Sequence, residues 1–110
     1  MAANQEYAVK TWEGDSPPNE KEIRQILGEQ GLSGYRWSNG PGGVYGAHSH
    51  PFHKIIYVLQ GSITFILPDV GEQVTLGNGD RLNLPAGMVH EAFVGQQGVI
   101  CIEAHNTVEN

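Results

Sequence analysis

An all-β sandwich or closed barrel, with one short helix near the N-terminus, is the fold class that this sequence predicts. Three observations carry the expectation. Glycine is abundant, at 15 residues mostly beyond position 30, and with proline it cuts that part of the chain into short segments. At least seven of those segments read as strands at close spacing. Helical periodicity occurs once, over residues 20–30.

The elements follow in chain order. Residues 1–18 are polar, and Tyr7, Val9 and Trp12 predict one strand by alternation. Ser16-Pro17-Pro18-Asn19 is a stop followed by a helix start, with Asn19 as N-cap and Glu22 at the reciprocal capping position. Ile23, Ile26 and Leu27 then recur at helical spacing, and Gly31 is a C-terminal stop. The apolar stripe of this helix predicts packing on the outside of the strands. Strands are expected at Tyr35–Asn39, Val44–His50, Lys54–Gln60, Ser62–Leu67, Glu72–Leu76, Arg81–Leu84, Val89–Val94 and Val99–His105. Gln60-Gly61 predicts a tight hairpin, and Gly77-Asn78-Gly79-Asp80 and Pro85-Ala86-Gly87 predict turns.

Composition narrows the function. The chain has 110 residues, enough for one domain with a modest core that dimerisation would enlarge. Twelve acidic and six basic residues give a formal net charge of −6, and no Lys/Arg cluster occurs. Binding to nucleic acid or to an anionic membrane is therefore not expected, since both need a positive face. The longest apolar run, Ile55 to Leu59, is too short to span a bilayer. Cys101 is the only cysteine, so no intramolecular disulfide can form, and its apolar neighbours predict a small buried side chain. The first residues lack the charged and apolar stretches of a signal peptide, and a reducing, cytoplasmic location is the expectation.

The histidines carry the chemistry. His48 and His50 are two apart in a strand-like segment, so both imidazoles point to one side. His90 arrives from a later strand and completes one face of a coordination sphere if the two strands face each other. Three His ligands with open positions suit a divalent ion, Fe, Ni, Mn, Zn or Cu, and leave room for water or substrate. A His-x-His pair by itself is weak, because most such pairs are surface residues. By alternation Val44, Gly46, Ile56, Val58, Met88, Ala92 and Val94 share a face with the histidines or Lys54, and form a mostly apolar small-molecule pocket or simply the filling of a small barrel.

The spacing resembles that of the small single-domain cupins. Gly42, five residues, His48-Ser49-His50, three residues, position 54, six residues and Gly61 follow the first cupin motif. Gly79, five residues, Pro85-Ala86-Gly87, two residues and His90 follow the second. The resemblance implies a double-stranded β-helix barrel over 35–110 with the metal in its mouth, an extension over 1–34 packed on it, and a homodimer.

Two positions depart from the family pattern. Lys54 stands where the first motif carries its Glu ligand, and Val94 stands where the second motif ends on Asn. An ammonium cannot coordinate a metal, so the resemblance implies His48, His50 and His90 and no fourth protein ligand. Lys54 is then a candidate catalytic group that binds an anionic part of a substrate. A cation beside a dication needs a carboxylate nearby. Glu103, among the apolar residues of the last strand, is the candidate partner, with an exposed strand residue as the alternative. Glu91 follows His90 directly and is expected to face away. His53 opposes Lys54 by alternation, although Pro51-Phe52 can break that alternation and bring it to the barrel mouth. His105 is expected at an exposed or interface position. The functions expected are a metal-dependent dioxygenase or isomerase acting on a small molecule, or a non-enzymatic binding or sensing barrel with a degenerate metal site. A purely structural dimer is the third reading.

Overall fold

A computed structural model describes residues 6–107 of the chain. It contains β1 (Ala8–Lys10), α1 (Glu20–Glu29), β2 (Tyr35–Asn39), β3 (Val44–His48), β4 (Phe52–Leu67), β5 (Glu72–Leu76), β6 (Arg81–Leu84) and β7 (His90–Thr107). All strand pairs are antiparallel. The sheet runs β1-β6-β4-β7-β2, with β3 also on β7 and β5 also on β4.

The two long strands make the barrel. β4 and β7 pair with each other from Phe52↔Thr107 to Ile66↔Glu91. The first part of β4 carries β6 and its second part carries β5. In the same way β7 carries β3 at its start and β2 towards its end. The sheet thus curls around one apolar core that includes Ile56, Val58, Ile63, Phe65, Leu82, Val94 and Cys101. Cys101 is fully buried, and burial, with a smaller contribution from nearby Glu103, pushes its thiol up to about 12, so it stays protonated.

The hairpin expected at Gln60-Gly61 is absent, because β4 continues through it, and residues 90–105 are likewise one strand rather than two. A two-residue type I′ hairpin needs positive φ at both central residues. Gly61 has φ +87°, but no non-glycine residue among those described has positive φ, so Gln60 does not supply the other half. Gly61 instead sits between two register shifts, as a bulge that bends the strand. Gly98, with φ +78°, bends β7 beside it. The strand expected over Val44–His50 ends at His48, and the chain bends at Pro51 before β4 begins at Phe52.

The helix boundaries agree with their caps. The Asn19 side chain accepts from Glu22 N at 2.8 Å, and the Glu22 carboxylate accepts from Asn19 N at 2.9 Å. At the other end Leu32 N donates to Leu27 O and Gly31 N to Gly28 O, with Gly31 at φ +76°, which is a Schellman closure. Ile23 and Leu27 are fully buried against Ile55, Tyr57, Ile102 and Ala104, on the outer face of β4 and β7. No helix among the described residues is long and apolar enough to cross a membrane.

The bend at Gly61 is a testable constraint. A Cβ there would collide with the Gly98 carbonyl oxygen in addition to forcing a left-handed φ. At Gly71, φ +67°, a Cβ would meet nothing within 4 Å. Gly61→Ala should therefore cost about 2–4 kcal/mol of unfolding free energy in urea titration, against about 1 kcal/mol for Gly71→Ala. Equal losses would contradict this assignment.

Candidate metal centre

The strand pairing brings the imidazoles together. His48 is the last residue of β3 and lies opposite His90, the first residue of β7. His50 lies just beyond the end of β3, and its carbonyl accepts from Gly87 N at 2.8 Å, which ties it to the Pro85-Ala86-Gly87 turn. The ring centroids of His48 and His90 are 4.3 Å apart, those of His48 and His50 4.8 Å, and those of His50 and His90 5.3 Å. One ligand nitrogen from each of the three lies within 4.8 Å of the others.

Backbone carbonyls set the orientation of two of the rings. His48 Nδ1 lies 2.6 Å from Gly46 O, and His90 Nδ1 lies 3.0 Å from Met88 O. A carbonyl oxygen only accepts, so each Nδ1 carries a hydrogen, and in the neutral ring the lone pair is on Nε2. His90 is 2% exposed, and its Nε2 is buried without a hydrogen-bond partner. An unpaired buried acceptor costs about 1–3 kcal/mol, and an electron-pair acceptor such as a metal cation removes that cost. The same Nδ1-to-carbonyl bond is the arrangement that orients metal-ligating histidines. These residues therefore fit a divalent ion, held by His48, His50 and His90. Burial pushes His90 down to about 4, against the opposing bond to Met88, with the nearby His48, Lys54 and His50 adding to the fall. Burial also lowers His50, followed by the charge of Lys54 and of His48. Both rings are thus neutral, and available as ligands, at neutral pH.

Lys54 and Glu103 lie beside this cluster. Lys54 Nζ is 3.4 Å from His50 Nε2 and 3.5 Å from Glu103 Oε2. Glu103 is 3% exposed. It accepts from Tyr35 OH at 2.7 Å and from Trp37 Nε1 at 2.9 Å, and it lies 2.7 Å from His105 Nε2. Burial alone would raise its carboxyl, but Lys54 and the bonds from His105, Tyr35 and Trp37 outweigh burial and hold it below the usual carboxylate range. Tyr35 moves the other way, raised by burial and by the carboxylate it donates to. His105 also stacks on Phe52, at 4.1 Å between centroids, and Phe52 stacks on His50 at 5.0 Å. His105 is exposed, as expected, and its ring is at the same time part of the support around Lys54 and His50.

A cavity of about 40 Å³ opens onto His48, His90 and Lys54, walled by Trp37, Tyr45, Ile56, Ile63, Phe65 and Ala92. Of the apolar pocket expected from alternation, only Ile56 and Ala92 line it. Val58 and Val94 are buried in the core away from its wall. Met88 lines a separate cavity with Tyr7 and Glu72. Val44 points outward, 77% exposed, and Tyr45 takes the inner position, because a bulge between Tyr45 and His48 reverses the alternation along β3. Gly46 contributes its carbonyl to His48 rather than a wall. His53 accepts from Ala86 N at 3.2 Å, outside the cluster of three rings. Glu91 is half-exposed in the position after His90 and pairs with Ile66. A larger cavity, about 500 Å³, lies on the α1 and β6 side, and contains none of the three histidines.

Tyr35, Trp37 and Tyr45 were not among the expected site residues. Tyr35 lies directly opposite Glu103 in the β2–β7 pair, and Trp37 opposite Cys101. Their signal is an aromatic alternation, Tyr35-x-Trp37, that gains meaning only from a pairing 66 to 68 residues away.

Known proteins place this geometry in context. The family model for the cupin domain matches residues 35–101. KdgF from Halomonas sp. superposes with a TM-score of 0.61 at 25% identity, covering 72% of this chain and 71% of that one. The polyketide cyclase RemF from Streptomyces resistomycificus gives 0.59 at 26% identity, over 72% of this chain and 61% of that one. An RmlC-like cupin from Shewanella frigidimarina gives 0.60 at 22% identity, over 72% and 68%, a likeness of fold alone. No curated protein matches the chain.

A pH dependence follows from His90. Its folded value, about 4, lies below the ordinary 6.5, so the unfolded chain binds the extra proton between those limits. Stability of chelator-treated protein should be fully present above pH 6.5 and fall on acidification towards pH 4, by on the order of 2–3 kcal/mol from this group. His90→Phe should remove that part of the slope in urea titrations across the range. An unchanged slope would contradict a neutral buried imidazole.

Proposed function

This chain belongs to the cupin domain family, and we propose that it works as a metal-binding cupin acting on a small molecule at the mouth of the barrel. The observation that carries this reading is His90 Nε2, a buried lone pair with no partner, beside His48 Nε2 in the same preset tautomer. A divalent ion there, Fe, Ni, Mn, Zn or Cu, would supply Lewis acidity or redox chemistry. The chain's own residues do the rest. His48 and His90 hold two ligand atoms in place, and Ile56, Ile63 and Phe65 give the cavity an apolar wall. Lys54, held beside Glu103, orients a substrate. Three protein ligands leave open positions, which suits a dioxygenase or an isomerase. Likeness to a polyketide cyclase at 26% identity supports a small-molecule enzyme over a purely structural role.

One observation favours a second reading, a non-enzymatic binding or sensing barrel. Lys54 Nζ lies within hydrogen-bonding reach of His50 Nε2, so it competes for the third ligand. A homodimer is supported by Val44 and Phe93, exposed cross-strand neighbours on the outer face of β3 and β7. A reducing, cytoplasmic setting is supported by the single buried thiol, Cys101.

Metal analysis tests the reading. Protein purified without added metal and then dialysed against a divalent ion should hold about one equivalent, and the double variant His48→Ala, His90→Ala almost none. Equal content in the two proteins would overturn the metal site.

A further inference from the structure

Among the described residues, the mouth of the barrel offers a bound cation no unengaged negative charge. Its three candidate ligands are neutral imidazoles. The nearest buried carboxylate, Glu103, is already engaged by Tyr35, Trp37, His105 and Lys54. Turning it towards the histidines would strand those donors and the Lys54 ammonium. The Lys54–Glu103 pair is neutral as a unit, so a dication held by His48, His50 and His90 keeps both of its charges. It does so against Ile56, Ile63 and Phe65, in surroundings that screen charge far less than water does.

Lys54 also has donor capacity to spare. An ammonium has three N–H groups, and its contacts, His50 Nε2 at 3.4 Å and Glu103 Oε2 at 3.5 Å, use two of them. An ion that takes the His50 lone pair releases one of these two as well. The cavity that Lys54 shares with His48 and His90 measures about 40 Å³. That seats a head group of about two or three non-hydrogen atoms.

From these charges and dimensions we infer that the site takes its ion together with a small monoanion, seated between the ion and Lys54 Nζ. The inference rests on the metal reading above, and it names the substrate class. The ligand is an unbranched molecule that enters head first by a carboxylate, or a group of similar size and charge. A free inorganic anion and the head of an organic acid share this chemistry, and the size of the probe separates them.

Cobalt-loaded protein provides the test, because the visible absorption of the ion reports a change in its ligands. Azide and formate should each bind saturably, with the absorption of the ion changing to a plateau. Propionate should bind comparably to formate if the head of an organic acid is accepted, and should give no response if only a free inorganic-sized anion fits. Lys54→Gln should keep its cobalt and bind azide at least about tenfold more weakly, whereas Lys54→Arg should stay within about threefold of the wild type. If Lys54→Gln fails to fold, Lys54→Met with Glu103→Gln removes both charges while leaving an acceptor for Tyr35 and Trp37, and the same loss is expected. Cobalt held without any response to azide or formate would overturn this inference alone. So would azide binding that is unchanged by removal of the Lys54 charge. Failure of the wild type to hold cobalt would overturn the metal reading and this inference with it.

Discussion

Glu103 is 3% exposed and meets Tyr35 and Trp37 from β2, Lys54 from β4 and His105 from its own strand. A carboxylate in such a place costs several kcal/mol unless its oxygens are met by donors. Here they are, so one buried charge ties three strands together at the mouth of the barrel. The same contacts explain how a lysine can stand among imidazoles. Without Glu103, Lys54 would bring an uncompensated cation to a site that fits another cation. With it, Lys54 is held in place and its charge is matched.

The histidines depend on the backbone in a different way. β3 and β7 bring His48 opposite His90, and the carbonyls of Gly46 and Met88 fix each ring two residues from its own position. Ligand orientation is therefore written into the strand ends rather than into a network of acidic side chains. The bend of β4 and β7 at Gly61 and Gly98 has a related role. It lets two continuous strands serve both faces of the barrel, so the core beneath the site is closed by the elements that carry His90 and Lys54.

Much of this was legible in the sequence where the signal was local. Asn19, Glu22 and Gly31 bracket the helix through caps that act within a few residues. The spacing of Gly42, His48, His50, Gly61, Pro85, Gly87 and His90 identifies three rings that do lie together. Lys54 and Glu103 could be paired because one charge among apolar neighbours needs another. What failed was alternation carried across an irregularity. The bulge before His48 turned Val44 out and Tyr45 in, and Gly61 bent a strand where a hairpin was expected. Tyr35 and Trp37 were missed because their partner lies in the last strand, and no local pattern encodes that pairing.

The central claim is that three imidazoles hold the ion while Glu103 stays with Lys54. Anomalous diffraction at the metal edge, from crystals of ion-loaded protein, tests it most directly. One peak is predicted at about 2.0–2.2 Å from a ring nitrogen of each of His48, His50 and His90, with the Glu103 carboxylate still facing Lys54. A peak away from these rings, or a Glu103 carboxylate turned onto the ion, would contradict the account.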